Sequence, residues 1–149
     1  MVHKAKRPGI AAIGVDMSRA DLSAADLAGA VLGEARLRSA KPPGGGATQT
    51  DFSRADATGA NFEGATLTRA TLAGATLVSA TLTNAKLQGA AATEADFSQA
   101  NATSADFEGA TLEQANMASA VLHKAKLQGI AAIGVDMSRA DLSAADLAG

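Results

Sequence analysis

Apolar and polar residues alternate along this chain on a period of five. Of the 29 positions from Ala5 to Ala145 divisible by five, 23 are Ala, so the register holds along the entire chain. Two residues further on, from Val2 to Leu147, stand 14 Leu, all four Phe and three of the four Met. The residue just before the next Ala holds 12 of the 15 Gly, which marks a corner. A period of five fits neither common element. On a helix each Leu would lie about 140° from the last, so no apolar stripe forms. On one continuous strand, successive Leu would face opposite sides. Helix propensity misleads here, because Ala and Leu are strong helix formers. The pattern works if each pentad is a tiny strand plus a corner. Ala and Leu then point inward, the residue between them points out, and the last two residues turn the chain.

Four such pentads close a square coil of 20 residues. Pentads such as Ala20-Asp21-Leu22-Ser23-Ala24, Ala25-Asp26-Leu27-Ala28-Gly29 and Ala60-Asn61-Phe62-Glu63-Gly64 carry the pattern A(D/N)LXX. The chain resembles the pentapeptide-repeat family on those residues, over essentially its full length. The resemblance implies an all-β fold, a right-handed quadrilateral β-helix of about seven coils, roughly 35 Å long at the ordinary strand spacing.

Each inward stack reads every twentieth residue; one runs Leu22, Pro42, Phe62, Leu82, Ala102, Leu122 and Leu142. The expected core also takes in Leu27, Phe52, Leu67, Leu72, Leu77, Leu87, Phe97, Phe107, Leu112, Met117, Leu127 and Met137. Phe52 lies between Ala47 and Ala57, and Phe97 between Ala92 and Ala102. Bulky and small residues therefore trade volume around the square, as close packing demands.

The pattern breaks in two places. Arg7 falls on an inward position, where an unpaired charge is costly, so the first coil is expected to be open or frayed there. Lys41-Pro42-Pro43-Gly44-Gly45-Gly46 is expected to form a bulge or flexible connection, because Pro cannot donate to a ladder. It lacks the spacing of a phosphate loop. These breaks divide the chain into N-terminal coils at 1–40, a Pro/Gly-rich connection or degenerate repeats at 41–49, and a main solenoid at 50–149.

Residues 2–29 nearly repeat at 122–149, with 25 of 28 identical and an offset of 120, or six coils. The two copies therefore project the same side chains in the same direction. Ala47–Leu67 echoes at Ala92–Leu112 with an offset of 45, a quarter turn out of phase. The chain reads as about 1.24 periods of 120 residues. Two origins fit, a recent natural duplication and an engineered rearrangement, and the Gly-rich joint, a common flexible linker, favours the second. No amphipathic helix caps either end, and open strand edges invite domain swapping or head-to-tail stacking. The expected assembly surface comprises Ile10, Ile13, Ile130, Ile133, Leu142 and Leu147.

Composition narrows the chemistry. There is no Cys, Trp or Tyr, which excludes disulfides and thiolate metal sites. No apolar run is long enough to span a membrane. The basic start at Met1–Pro8 has no apolar segment behind it, so no signal peptide and a cytoplasmic location are expected, with export by a dedicated secretion system as the alternative. His3 and His123 share a column about 29 Å apart and cannot share a metal within one chain. Asp16, Asp56, Asp96 and Asp136 share a face, with alternate coils about 9.6 Å apart; they read as bonds to nearby turn amides. No catalytic, cofactor-binding or metal residues are assigned, and no cofactor is expected.

The expected function is a non-enzymatic scaffold that binds protein, itself included, end to end. Pentads such as Ala65-Thr66-Leu67 and Ala75-Thr76-Leu77 resemble those of bacterial modules of this family. The alternative implied by the resemblance is a DNA mimic that binds type II topoisomerases and protects against quinolones. The net charge of −2, and a column where Lys6, Lys86 and Lys126 mix with Asp26, Asp106 and Asp146, count against it. Neither nucleic acid nor membrane is expected as a partner.

Overall fold

The computed structural model describes residues 10–42 and 46–148. Parallel bridges join residues twenty apart along the chain, from Ala11 with Val31 to Lys126 with Asp146. The fold is a right-handed quadrilateral β-helix with four pentads per coil and seven coils from residue 10 to residue 148.

Three backbone bonds per pentad build the ladder. In the pentad Ala60–Gly64, the Asn61 N–H donates to Ala40 C=O in the preceding coil (2.9 Å). The Phe62 N–H donates to Thr81 C=O in the following coil (2.7 Å), and the Gly64 N–H to Thr83 C=O (2.9 Å). The corner closes locally, with Ala65 N–H donating to Phe62 C=O (3.0 Å). The third turn residue has positive φ and the second does not, the type II pattern. Glycine serves at Gly59 and Gly64, but Arg54, Asn84, Gln99 and Lys124 adopt the same conformation, with φ of 57° to 59°. Gly was the expected corner residue; the ladder holds other residues there too, against a left-handed cost of about 1–2 kcal/mol each.

The core is a column of Ala and large apolar residues. Leu27, Phe52, Phe62, Leu67, Leu72, Leu77, Leu82, Leu87, Phe97, Phe107, Leu112, Met117, Leu122 and Leu127 are buried. Leu22, Met137 and Leu142, expected in the same core, are only half-buried, because they lie in the first and last coils and are covered from one side. The Phe residues meet in pairs across the interior. The rings of Phe52 and Phe62 lie edge to face at 6.0 Å, and those of Phe97 and Phe107 at 5.9 Å. In each such coil two Ala occupy the other two sides: Ala47 and Ala57 in one, Ala92 and Ala102 in the other. The inward residues between the two Phe–Ala coils, Leu67, Leu72, Leu77, Leu82 and Leu87, are all Leu and all buried.

The expected bulge at residues 41–46 does not shift the register. Asp21 pairs with Lys41, and Leu27 N–H donates to Gly46 C=O at 2.6 Å, both at the normal spacing. Pro42 is buried in its stack and omits only the N–H bond that Leu22 and Phe62 make from equivalent positions. Residues 43–45 lie outside the described residues, as do Arg7 and the fraying expected there. Thr50 replaces the usual inward Ala and is fully buried; its hydroxyl donates to Leu27 C=O at 2.6 Å. A buried hydroxyl needs such a partner. The first coil packs on its own chain: Val31 N–H donates to Ile10 C=O (2.7 Å) and Arg36 N–H to Val15 C=O (2.8 Å).

Two stability predictions follow from this packing. Phe97→Ala leaves one coil with a single ring and is expected to cost about 3–5 kcal/mol in denaturant melts. A Cβ at Gly64 meets nothing within 4 Å, so Gly64→Ala isolates the backbone cost, expected at about 1 kcal/mol.

Candidate functional site

The outward positions of the pentads decide the chemistry of the faces. Asp or Asn at the second position accepts the N–H two residues on. Asp16 Oδ1 takes Ser18 N–H at 3.0 Å, Asn61 Oδ1 takes Glu63 N–H at 3.0 Å, and Asp136 Oδ1 takes Ser138 N–H at 2.8 Å. This bond starts the corner, which is why the motif asks for Asp or Asn there. The Asp16, Asp56, Asp96 and Asp136 column is therefore committed residue by residue to turn amides. Among the described residues, no three His, Asp or Glu side chains converge as a metal would require.

Charged side chains form short ladders between coils. Arg36 lies 3.8 Å from Asp16, Arg54 3.8 Å from Glu34, and Lys126 3.2 Å from Asp106. Arg38 Nε donates to Asp56 Oδ2 at 2.5 Å. Gln88 and Gln128 donate to Asp106 and Asp146. His123 Nδ1 lies 2.7 Å from the Ser143 hydroxyl; His3 is outside the described residues. Several carboxyls titrate below the ordinary carboxylate value. Asp16 is lowered by the Ser18 hydroxyl and N–H and by Arg36, and Asp21 by Ser23 and Lys41. Asp136 is lowered by the Ser138 N–H and hydroxyl, and Asp141 by Ser143 and His123. At Asp56 burial pushes upward, and bonds from Arg38 and Thr58 outweigh it.

The most exposed large apolar side chains lie in the first and last coils. Ile13 is 65% exposed, Ile133 77%, Leu147 54% and Ile10 44%. Ile130 and Leu142, also expected at an assembly surface, are half-buried against the core. Ile13 and Ile133 are the same residue of the two sequence copies, on the same face at opposite ends. Near the first copy, Ile13 lines a shallow groove with Val31, Gly33, Glu34, Asp51 and Arg54. Gly33 stands at an outward position that in neighbouring coils carries Ile13 and Ser53. Its signal in the sequence is a Gly one residue before the usual corner position.

The two ends differ in what covers their edges. At the first copy, Ala12, Gly14, Met17 and Arg19 donate N–H groups to Val31, Gly33, Arg36 and Arg38. At the second copy, Ala132, Gly134, Met137 and Arg139 have no such backbone acceptors among the described residues. No described helix is long and apolar enough to cross a membrane.

A profile described as pentapeptide repeats matches in eight copies over residues 14–41, 48–84, 80–118 and 120–149. No curated protein sequence matches the chain. Among solved structures, it is similar to HetL, a pentapeptide repeat protein of Nostoc sp. involved in heterocyst differentiation regulation. That likeness has 25% identity over 91% of this chain and 86% of that one, with a TM-score of 0.33. It is also similar to full-length QnrB1, a plasmid-mediated fluoroquinolone resistance protein. There the identity is 14% over 89% of this chain and 91% of that one, with a TM-score of 0.40. A pentapeptide repeat protein of the Arabidopsis thaliana thylakoid lumen shares 30% identity over 68% of this chain and 66% of that one, with a TM-score of 0.24.

The lowered carboxyls set the response to acid. A group whose pKa is depressed by folding stabilises the fold above its unfolded value, and that contribution is lost as pH falls through the folded pKa. The melting temperature is therefore expected to change little from pH 7 to about 4.5 and to fall below about pH 3.9. Asparagine keeps the Asx bond without a proton to gain, as at Asn61. Combined Asp16→Asn, Asp21→Asn, Asp136→Asn and Asp141→Asn should move the acid transition to lower pH in circular dichroism melts.

Proposed function

The chain belongs to the pentapeptide-repeat family, and on that footing we propose that it works without catalysis, as a stiff rod that binds proteins and joins copies of itself end to end. The observation that carries this reading is the pair of terminal coils. Residues 10–29 and 130–149 are identical in sequence, and both leave an Ile uncovered, Ile13 at one end and Ile133 at the other. A contact between unlike ends of one molecule is heterologous, and where its rotation does not close it builds a filament. The lateral faces offer repeating Thr, Asp, Asn and Lys side chains on a rigid frame, a surface for a protein partner rather than a pocket for a small substrate.

The charge pattern gives the DNA-mimic alternative no support. A mimic needs an unbroken negative face, and here Lys126 sits on Asp106 and Arg38 on Asp56. Purified protein is expected to leave gyrase supercoiling unchanged in a plasmid assay. Light scattering over a concentration series tests the main reading: the mean molar mass should rise with concentration. A single monomer mass at every concentration would sink it.

A further inference from the structure

The end-to-end reading leaves open which surfaces meet. We propose that a second copy of this chain joins by coil exchange: its last coil, from Ile130 on, replaces residues 10–29 on the coil that begins at Ala30. The proposal rests on the end-to-end reading and specifies its interface.

The argument begins with identity. Residues 10–29 and 130–149 agree at all 20 positions. The coil at 30–49 therefore cannot distinguish its own first coil from the last coil of another molecule by side chain. The structure shows what that coil accepts. Val31, Arg36 and Lys41 donate N–H groups to the carbonyls of Ile10, Val15 and Ala20 at 2.7 to 2.9 Å. Ile130, Val135 and Ala140 are the same residues in the second copy. In return Ala12, Gly14 and Met17 donate to Val31, Gly33 and Arg36. Their counterparts Ala132, Gly134 and Met137 lack backbone acceptors among the described residues and would gain them on exchange. The contact of Arg36 with Asp16 would pass to Asp136, and Ile133 would enter the groove beside Gly33 that Ile13 lines.

Plain stacking of the last coil on the first has no such precedent. It would set residues 130–149 directly on residues 10–29, like on like, a pairing the structure contains nowhere. Exchange instead rebuilds a junction already present in every molecule, and it keeps the offset of 120 unbroken from one chain to the next. The first coil can be displaced because, among the described residues, it is held from one side and three of its four inward residues, Ala12, Met17 and Leu22, are only half-buried, Leu27 alone being buried. Gly29, at the corner leading to Ala30, has a φ of 67° and nothing near its Cβ position, so it can serve as the hinge.

Cysteine pairs test this in a protein that has no cysteine of its own. Val31 pairs with Ala11 across one rung. Adjacent strands about 4.8 Å apart suit a disulfide. In exchange, Ala131 of one molecule takes the place of Ala11 beside Val31 of the next. Within one chain Val31 and Ala131 are five coils, about 24 Å, apart and cannot bridge. The double variant Val31→Cys with Ala131→Cys, oxidised after incubation at rising concentration, should give a ladder of dimers and higher multimers on a non-reducing gel, collapsing with thiol reductant. The double variant Ala11→Cys with Ala131→Cys should give no ladder, since it links only stacked ends. A ladder from the second pair and none from the first would overturn exchange and leave end-to-end association standing. No ladder from either would overturn both. One substitution placed in each copy adds a second reading. Met17→Lys should loosen the resident coil and raise the multimer fraction several-fold, while Met137→Lys should abolish multimers. Equal effects of the two substitutions would overturn the proposal.

Discussion

Every other feature of this molecule depends on the ladder of parallel hydrogen bonds between residues twenty apart. The ladder fixes four pentads per coil and lets no residue be added or lost. That is why Pro42 stays in its stack and Gly46 still accepts from Leu27. It also explains the corners. A left-handed Arg or Gln is unfavourable by itself, yet the ladder on both sides of each corner leaves the chain no other path. Three N–H groups of a pentad bond to the neighbouring coils, so order at one coil depends on the next, as in other solenoids.

Inside that frame the interior has a fixed cross-section. Four Leu fill it, and so do two Phe with two Ala, set edge to face across the coil. The second such coil repeats the first with a shift of nine pentads, which turns its ring pair by a quarter turn. Volume is therefore matched coil by coil rather than position by position. Burial is complete in the middle and partial in the first and last coils, each of which has one neighbouring coil among the described residues. The exposed Ile and Leu gather at the ends for that reason.

A rod with this construction concentrates its unsatisfied chemistry at its termini. On its faces the Asp side chains hold corners through Asx bonds, and a few ion pairs run between coils. Among the described residues, the N–H groups of Ala132, Gly134, Met137 and Arg139 have no backbone acceptors, and Ile13, Ile133 and Leu147 stand exposed. The same coil sequence stands near both ends, at residues 10–29 and 130–149.

The sequence alone determined the coil length, the stacks, the outward faces and the duplicated ends. All of these follow from a register held without a slip, and a register is a local property of the chain. Even the roles of Asp and Asn were legible, since a side chain that bonds an amide two residues on needs no distant partner. Tertiary structure alone decided the rest. The positive φ of Arg54 or Gln99, the edge-to-face meeting of Phe97 with Phe107, and the bond from Thr50 to Leu27 each depend on residues a half coil or more away. So does the half-burial of Leu22, Met137 and Leu142, which have the same pattern as Leu82 but lack a second neighbouring coil. The groove at Gly33 belongs to this group as well, because an absent side chain acquires meaning only when the next coil sets Ile13 beside it.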